Sequence, residues 1–472
     1  MYCRPIILLL LAAAMAFAQE TKFTASLRTR VENWNWFGDD VGGAYTFSGS
    51  LLRLGIVHQH KNHELTLELG APVLLGLPDS AIAPAPRGAL GVGANYFSGN
   101  HANTNSAMVF LKQGFYRWKA TKNTSLRVGR FEFLDGSEVV PSDATLAALK
   151  AGRIQQRLIG HFLWTHVGRS FDGGQILHKH GAWTTTALGM VPTRGVFQTD
   201  GWGWNRTALS YLSATRATGK DKSAGELRLF GIYYDDFRRV LKTDNRALAA
   251  RQADMGNNIR IGSYGAHYLH AWKTPNGNFD LLLWGVLQSG SWGQLSHRAG
   301  AGNFEAGWQF PFAKAVKPWL RGGYYRASGD KNPTDGTHGT FFQILPTPRP
   351  YARMPFYNGM NSDDRFAIFS LKPHARLALN TEYHHLNLAN ANDLWYLGGG
   401  VYQPWSFGYI GRPSNGQTRL ANLYDVAADF TINKNWGVNF YYGYADASKA
   451  IQAIYPKQSS GHLAYLELNW KL

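Results

Sequence analysis

The sequence predicts an all-β fold, a transmembrane antiparallel β-barrel of about 18 strands with short periplasmic turns and long extracellular loops. Three observations carry that expectation. An export signal opens a chain that has no cysteine beyond it, apolar and polar residues alternate with period two, and the gaps between strands are short and long in turn. Composition removes the alternatives. The 472 residues contain 48 Lys+Arg against 31 Asp+Glu, a net charge of +17, yet charged residues are 17% and aromatics 14%. Few charges with 52 Gly, 16 Trp and 23 Tyr are unlike an ordinary soluble enzyme. A mean hydropathy of −0.27 is too polar for a bundle of membrane-spanning helices. The abundance of aromatic and β-branched residues excludes disorder.

The elements follow in order. Residues 1–18 read as a cleaved signal peptide: Arg4 precedes an apolar run from Ile6 to Phe17, and Ala16-Phe17-Ala18 is a small-x-small cleavage pattern. Cys3 lies inside this segment, so the expected mature chain, 19–472, has no thiol for a disulfide, a zinc site or a nucleophile. This remainder reads as one barrel domain. In its first strand Phe23, Ala25, Leu27 and Val31 alternate with Ser26, Arg28, Arg30 and Glu32. Leu65, Leu67 and Leu69 then alternate with Glu64, Thr66 and Glu68. Near the C-terminus Leu377, Leu379 and Tyr383 oppose Arg376, Asn380, Glu382 and His384, and Leu466, Leu468 and Trp470 oppose Tyr465, Glu467 and Asn469.

A soluble sandwich also alternates, so the gaps decide. Short turns stand at HKNH (60), TKNT (121), KHG (179), PNGN (275) and INKNW (432). Long stretches rich in Gly, Pro and Asn fall at about 76–106, 135–170, 191–206, 236–258, 329–362, 389–417 and 448–459. That asymmetry is the signature of an outer-membrane barrel. Closure is forced, because lipid offers an open sheet edge no hydrogen-bond partner. Trp118, Trp183, Trp272, Trp395 and Trp470 suit interfacial aromatic girdles.

If the apolar faces meet lipid, Arg28, Arg30, Glu32, Glu64, Glu68, Arg228, Arg376, Glu382 and His384 face the lumen. Arg130 and Glu132 join them if Phe131 and Phe133 face lipid. Arginine on the lipid face at the midplane costs about 2–4 kcal/mol, so mid-strand arginine points inward by default. Bracing ladders and ligand contact are both open to each such arginine. Their excess favours an anionic cargo.

Five stretches, in order, resemble the alginate export family of outer-membrane channels. They are SLRVGRFEFLDG (125–136), RLIGHFLWTHVGRSFDG (157–173), GYYRASGDKNPTDGTHGTF (323–341), LNLANANDLWYLGGG (386–400) and FGYIGRPSNGQTRLANLYDVAADFTINKNW (407–436). The resemblance implies an 18-stranded monomeric barrel that passes an anionic polysaccharide through an arginine-rich constriction. It singles out Arg130, Glu132, Arg157, Arg169, Asp172, Asp330 and Arg376, with Arg130, Arg157 and Arg376 as contacts to sugar carboxylates and Glu132 and Asp172 orienting them.

Other constellations carry less. His58/His60, His178/His180 and His384/His385 lack a third ligand at metal spacing. Ser170 lacks the Gly-x-Ser-x-Gly elbow of a hydrolase. Residues 142–160 form the one helix candidate, either a lumen constriction or a cover over the mouth, and the proline-rich 329–362 segment is a second candidate plug. The reading is a passive channel for an anionic polysaccharide or oligosaccharide, with no catalysis, cofactor, metal or nucleic acid. Its expected partners are that saccharide, outer-membrane lipid and lipopolysaccharide, and periplasmic export components. A small-anion nutrient porin is the alternative, and a barrel-embedded lipid or glycan hydrolase stands third.

Overall fold

The computed structural model of the chain describes residues 20–38, 42–347 and 351–472. The predicted signal segment with Cys3, and Pro348 and Pro350 of the proline-rich loop, lie outside the described residues. Alternating residues build eighteen long strands. The first six are β1 (Thr21–Asn35), β2 (Ala44–His60), β3 (His63–Leu75), β4 (Phe110–Trp118), β5 (Thr124–Phe131) and β6 (Phe171–His180). Then come β7 (Trp183–Pro192), β8 (Thr207–Lys220), β9 (Ser223–Asp236), β10 (Ile259–Thr274), β11 (Gly277–Trp292) and β12 (Leu295–Gln309). The last six are β13 (Trp319–Ala327), β14 (Ser362–His374), β15 (Leu377–Leu388), β16 (Arg419–Thr431), β17 (Trp436–Ala447) and β18 (Ser460–Lys471). Each pairs antiparallel with the next, and β1 pairs with β18, setting Arg30 opposite Glu467 and closing the barrel.

The predicted asymmetry holds. One rim has turns as short as 61–62, 181–182, 221–222, 275–276 and 375–376; its longest link is 310–318. The other carries the long loops 76–109, 132–170, 193–206, 237–258, 328–361, 389–418 and 448–459, with one two-residue link at 293–294. By the convention of such barrels the short-turn rim is periplasmic.

The outer wall exposes a band of apolar side chains, among them Phe23, Leu54, Leu65, Leu67, Leu69, Leu212, Leu283, Phe304 and Leu466. The inner wall is a lattice of ion pairs, such as Arg53 with Glu68 at 2.6 Å and Glu132 at 2.9 Å, and Arg117 with Glu64 at 2.9 Å. Trp118 and Trp272 are exposed at the short-turn end as expected. Trp395 is not part of a girdle: it is buried in a small hairpin, Trp395–Gly398 with Tyr409–Arg412, beneath the Arg412 guanidinium.

An eighteen-stranded barrel is too wide for wall side chains to fill, and the long loops fold inward to fill it. Leu158, Ile159 and Phe162 of loop 132–170 pack with Phe341, Phe342, Ile344 and Leu345 of loop 328–361 and with Leu397, Phe407 and Tyr409 of loop 389–418, all buried. Backbone bonds stitch these loops together: Leu345 N–H to Leu158 O at 2.8 Å and Gly160 N–H to Leu345 O at 2.7 Å. Loop 132–170 goes deepest. Its helix Ala144–Leu149 is capped by Asp143, which accepts from the Thr145 and Leu146 amides, and it runs on as a π-turn through Ile154. Asp143 also meets Lys273 at 2.8 Å, at the short-turn end of β10. The helix therefore lies inside the barrel and reaches its far end, the lumen alternative of the two that the sequence left open.

Candidate permeation pathway

The pathway is assembled where β1, β18 and β12–β16 face the inward loops. Arg28 and Arg30, both on the inner face of β1, grip loop 132–170 by its backbone. Arg28 donates to the Leu163 and Thr165 carbonyls, and Arg30 to that of Trp164 at 2.6 Å. The Arg30 guanidinium lies between the Trp164 and Tyr465 rings, 4.7 and 4.9 Å from their centroids, with Glu32 at 3.0 Å and Glu467 at 3.5 Å. Across the lumen Glu305 of β12 collects Arg153 of the loop at 2.9 Å, Arg157 at 3.3 Å and Arg321 of β13 at 2.8 Å. Arg353, from loop 328–361, binds Glu382 of β15 at 3.1 Å, and His384 links Glu382 to Asp364.

These groups enclose a chamber of about 540 Å³. Five arginines (Arg28, Arg30, Arg153, Arg321, Arg353) and three carboxylates (Glu382, Asp429, Glu467) line it, with Asn380, Asn439, Asn469, Trp164, Trp319 and Tyr465. Cations exceed anions, but most are braced. Arg28 and Arg353 retain 19% and 25% of their side-chain exposure, whereas Arg30 retains 1%. Arg28 and Arg353 are therefore the most open guanidiniums of the chamber.

Toward the long loops, sharing Trp164 with the chamber, is a small void of about 20 Å³ at Trp36, Phe162, Trp164, Phe197, Leu397 and Arg412, room for about one water molecule. Next to it is a cavity of about 300 Å³ lined by Phe197, Tyr402, Trp405 and Phe407 among others. On the other side the chamber widens into a vestibule of about 870 Å³ at the short-turn rim.

Buried loop groups brace this arrangement. His166 sits against Glu32 and Arg30, at 3.3 Å from each, and burial pushes its imidazole down to about 4. Asp135 accepts from the Leu158 and Ile159 amides at the base of loop 132–170. Burial pushes its carboxyl up to about 6 against the opposing pull of Arg228.

The residues expected from sequence divide by position. Arg28, Arg30, Glu132 and Glu382 face the lumen, Glu132 pairing with Arg53 and with Lys112 at 3.4 Å. Arg228 also points inward but is buried under loop 132–170, against Tyr211 and Glu138. Arg130 and Asp172 do not line the pore. They pair at 2.7 Å on the outer face near the long-loop rim, where the exposed Trp204 donates to Asp172. The cause is a shift of phase: Val128, exposed to the outside, shares a face with Arg130, and Phe131 and Phe133 turn inward rather than toward lipid. The strand ends at Phe131, so Glu132 is released from its alternation and reaches the lumen partners Arg53 and Lys112, while Gly129 within the strand has φ +123°. Any Cβ at Gly129 would lie 2.3 Å from the Gly114 carbonyl oxygen.

Arg376 is an exposed short-turn residue, outside the lumen altogether. Arg157 is buried at the Glu305 hub under Trp284 and Tyr351. Arg169 is also buried and ties loop 132–170 to the Gly399 carbonyl at 2.7 Å. Asp330 is buried in loop 328–361, where its own amide donates to Asp393 at 2.8 Å.

Sequence reasoning passed over Arg53, Arg153, Arg321, Arg353, Glu305 and Asp429 as a set. Asp429 alternates with the exposed Val426 and Phe430 of β16, and Arg321 stands beside Gly322 and Gly323, where no side chain marks the phase. Arg353 sits in a loop, where no periodicity exists to find it. Among the described residues no cluster of three or more His, Cys, Asp or Glu has metal-binding geometry. Ser170 is buried and donates to the Lys112 carbonyl at 2.7 Å.

A family model described as alginate export matches residues 100–462. No curated protein matches the chain. Among solved structures, the outer membrane protein OpdK of Pseudomonas aeruginosa is 10% identical, with a TM-score of 0.57 over 96% of this chain and 99% of that one. OccAB2 of Acinetobacter baumannii is 12% identical, with a TM-score of 0.59 over 97% and 99%. OccK2 (OpdF) of Pseudomonas aeruginosa, solved in complex with glucuronate, is 10% identical with a TM-score of 0.55 over 97% of each chain. At these identities the likeness is one of fold.

Proposed function

The chain belongs to the alginate export family, whose barrels are outer-membrane channels rather than enzymes, and we propose that this one passes an anionic saccharide chain by passive diffusion. The polymer class is a polyuronate such as alginate. The observation that carries this reading is the chamber, where Arg28 and Arg353 offer partly open guanidiniums among asparagines and aromatic rings. Guanidinium holds carboxylate by paired hydrogen bonds, and amides suit sugar hydroxyls. Two structural relatives were solved with carboxylates, OccK2 with glucuronate and OpdK with vanillate, which supports the same ligand chemistry.

Planar-bilayer recording tests it. Oligouronates should block the current, and the block should weaken about tenfold in Arg28→Ala or Arg353→Ala, the loss of one charge-assisted contact. Cation selectivity, or indifference to oligouronate, would remove the proposal. The small-anion nutrient porin is a second reading, favoured by the small monomeric carboxylates with which OccK2 and OpdK were solved. It predicts that monomeric uronate permeates while oligomers of four or more sugars leave the current unchanged.

A further inference from the structure

The strand ends that meet the long loops are not alike around the barrel. Within the last four residues at that end of each of the eighteen strands, exposed lysine or arginine occurs in five strands. These residues are Arg260 (β10), Arg298 (β12), Arg326 (β13), Arg365 (β14) and Arg419 (β16), all on one arc. The same positions of β17, β18, β1, β2 and β3 hold no lysine or arginine. Asp363 meets Arg326 at 3.1 Å and Asp235 meets Arg260 at 3.5 Å, yet the two guanidinium side chains keep 59% and 57% exposure. Arg365 lies over the Tyr324 ring at 6.0 Å, and among the described residues neither it nor Arg298 has an ion-pair partner.

Just below this arc the outer wall is hollow. Ala266, Gly285 and Gly302 stand side by side across β10, β11 and β12, and Arg326 is next in the row on β13. They belong to a cavity of about 720 Å³ that opens on the apolar outer face. Tyr264 and Leu287, both strongly exposed, form its side toward the rim, and Arg326 closes one end.

We propose that the arginine arc and the hollow beneath it form a lipid site on the outside of the barrel, whose occupant is a phosphorylated, multiply acylated glycolipid: the lipid A end of lipopolysaccharide. Position selects a lipid, because the hollow lies in the wall that meets the bilayer, and the long-loop rim faces the outer leaflet. Charge selects the headgroup. Arginine forks pair with phosphate oxygens through two parallel hydrogen bonds, and basic clusters at the membrane surface hold anionic headgroups. Width selects the glycolipid. From β10 to β14 the arginines cover four inter-strand spacings of about 4.8 Å each, more than one phosphate spans and suited to a sugar backbone with a phosphate at either end. One acyl chain then lies in the hollow against the bare backbone of Gly285 and Gly302, with Arg326 above it at the headgroup.

Native mass spectrometry of the full-length barrel in detergent, titrated with bis-phosphorylated lipid A, tests this. One lipid should be held per barrel, with monophosphoryl lipid A and phosphatidylglycerol each bound at least tenfold more weakly, the loss of one charge-assisted contact. The double variant R298Q/R326Q should weaken bis-phosphorylated lipid A at least tenfold. Lys449→Gln, at an exposed lysine of loop 448–459 off the arc, should leave it unchanged. Gly302→Leu tests the hollow. A Cβ there meets nothing nearer than the Trp284 carbonyl oxygen at 3.8 Å, so the barrel should keep the boiling-dependent gel shift of a folded barrel while its affinity for the lipid falls about tenfold. Binding that survives R298Q/R326Q or Gly302→Leu, or that falls equally in Lys449→Gln, would overturn the site. Phosphatidylglycerol bound as tightly as lipid A, with the same dependence on Arg298 and Arg326, would make the occupant a glycerophospholipid and overturn the glycolipid assignment. The arc lies outside the lumen, so each of these outcomes leaves the polyuronate reading untouched.

Discussion

Glu305 shows how a single residue fastens an inward loop to the barrel wall. One buried carboxylate meets guanidiniums from the wall (Arg321) and from loop 132–170 (Arg153, Arg157). Removing one partner of a buried ion pair costs about 3–5 kcal/mol, because the charges left behind stay desolvated. Glu305→Gln should therefore free the loop more than it harms the hydrogen-bonded wall. The expected result is a conductance at least twice that of the parent, with more frequent switching and a preserved gel shift. Asp135 makes a second residue-scale prediction. Its folded carboxyl is raised to about 6 from 3.8, so the folded loop binds the extra proton between those values. The stability this contributes is full below pH 3.8 and is lost as pH rises through 6. Amide exchange at Leu158 and Ile159 should thus be slower at pH 5 than at pH 7 after correction for the intrinsic rate, and Asp135→Asn should remove that dependence.

At the scale of elements, the helix Ala144–Leu149 is the part of the plug that reaches deepest, and its N-terminus rests on Asp143. Asp143→Ala loses a cap, worth about 0.5–2 kcal/mol, and the Lys273 contact at 2.8 Å. Single channels of this variant should flicker as the helix end detaches, at unchanged mean selectivity; Lys273→Ala should show the weaker form of the same effect. Strands were legible in the sequence because one face meets lipid and the other the lumen, so period two is written directly into them. The parity of β5 was not, because Leu126 and Val128 on one face and Phe131 on the other give its local sequence two possible apolar faces. Loops were legible in their boundaries alone. Arg157, Arg169 and Asp330 stand in family-like motifs, yet each is consumed by loop-to-loop contacts. A motif match marks a position that the fold uses and leaves open whether the use is structural.

At the scale of the molecule, basic charge is divided between two jobs. Arginine, with a planar fork suited to carboxylates and carbonyls, does most of the fastening of loops to wall inside the barrel, joined by the buried Lys112 and Lys150, and the other lysines lie mostly at the short-turn rim. Because the lumen arginines are paired with carboxylates, the net field of the chamber depends on the small excess of cations over anions in its lining. Neutralising a carboxylate should change selectivity as much as neutralising an arginine, with the opposite sign. Glu467 touches both Arg28 and Arg30, at 3.7 and 3.5 Å, so Glu467→Gln leaves two guanidiniums less compensated. Its reversal potential in a tenfold potassium chloride gradient should move toward the chloride limit, and that of Arg28→Gln should move away from it. If the arginines acted solely as braces and no ion passed near them, both variants would alter conductance through loop position and leave the reversal potential where it was. The pair of measurements therefore separates a charged pathway from a charged scaffold.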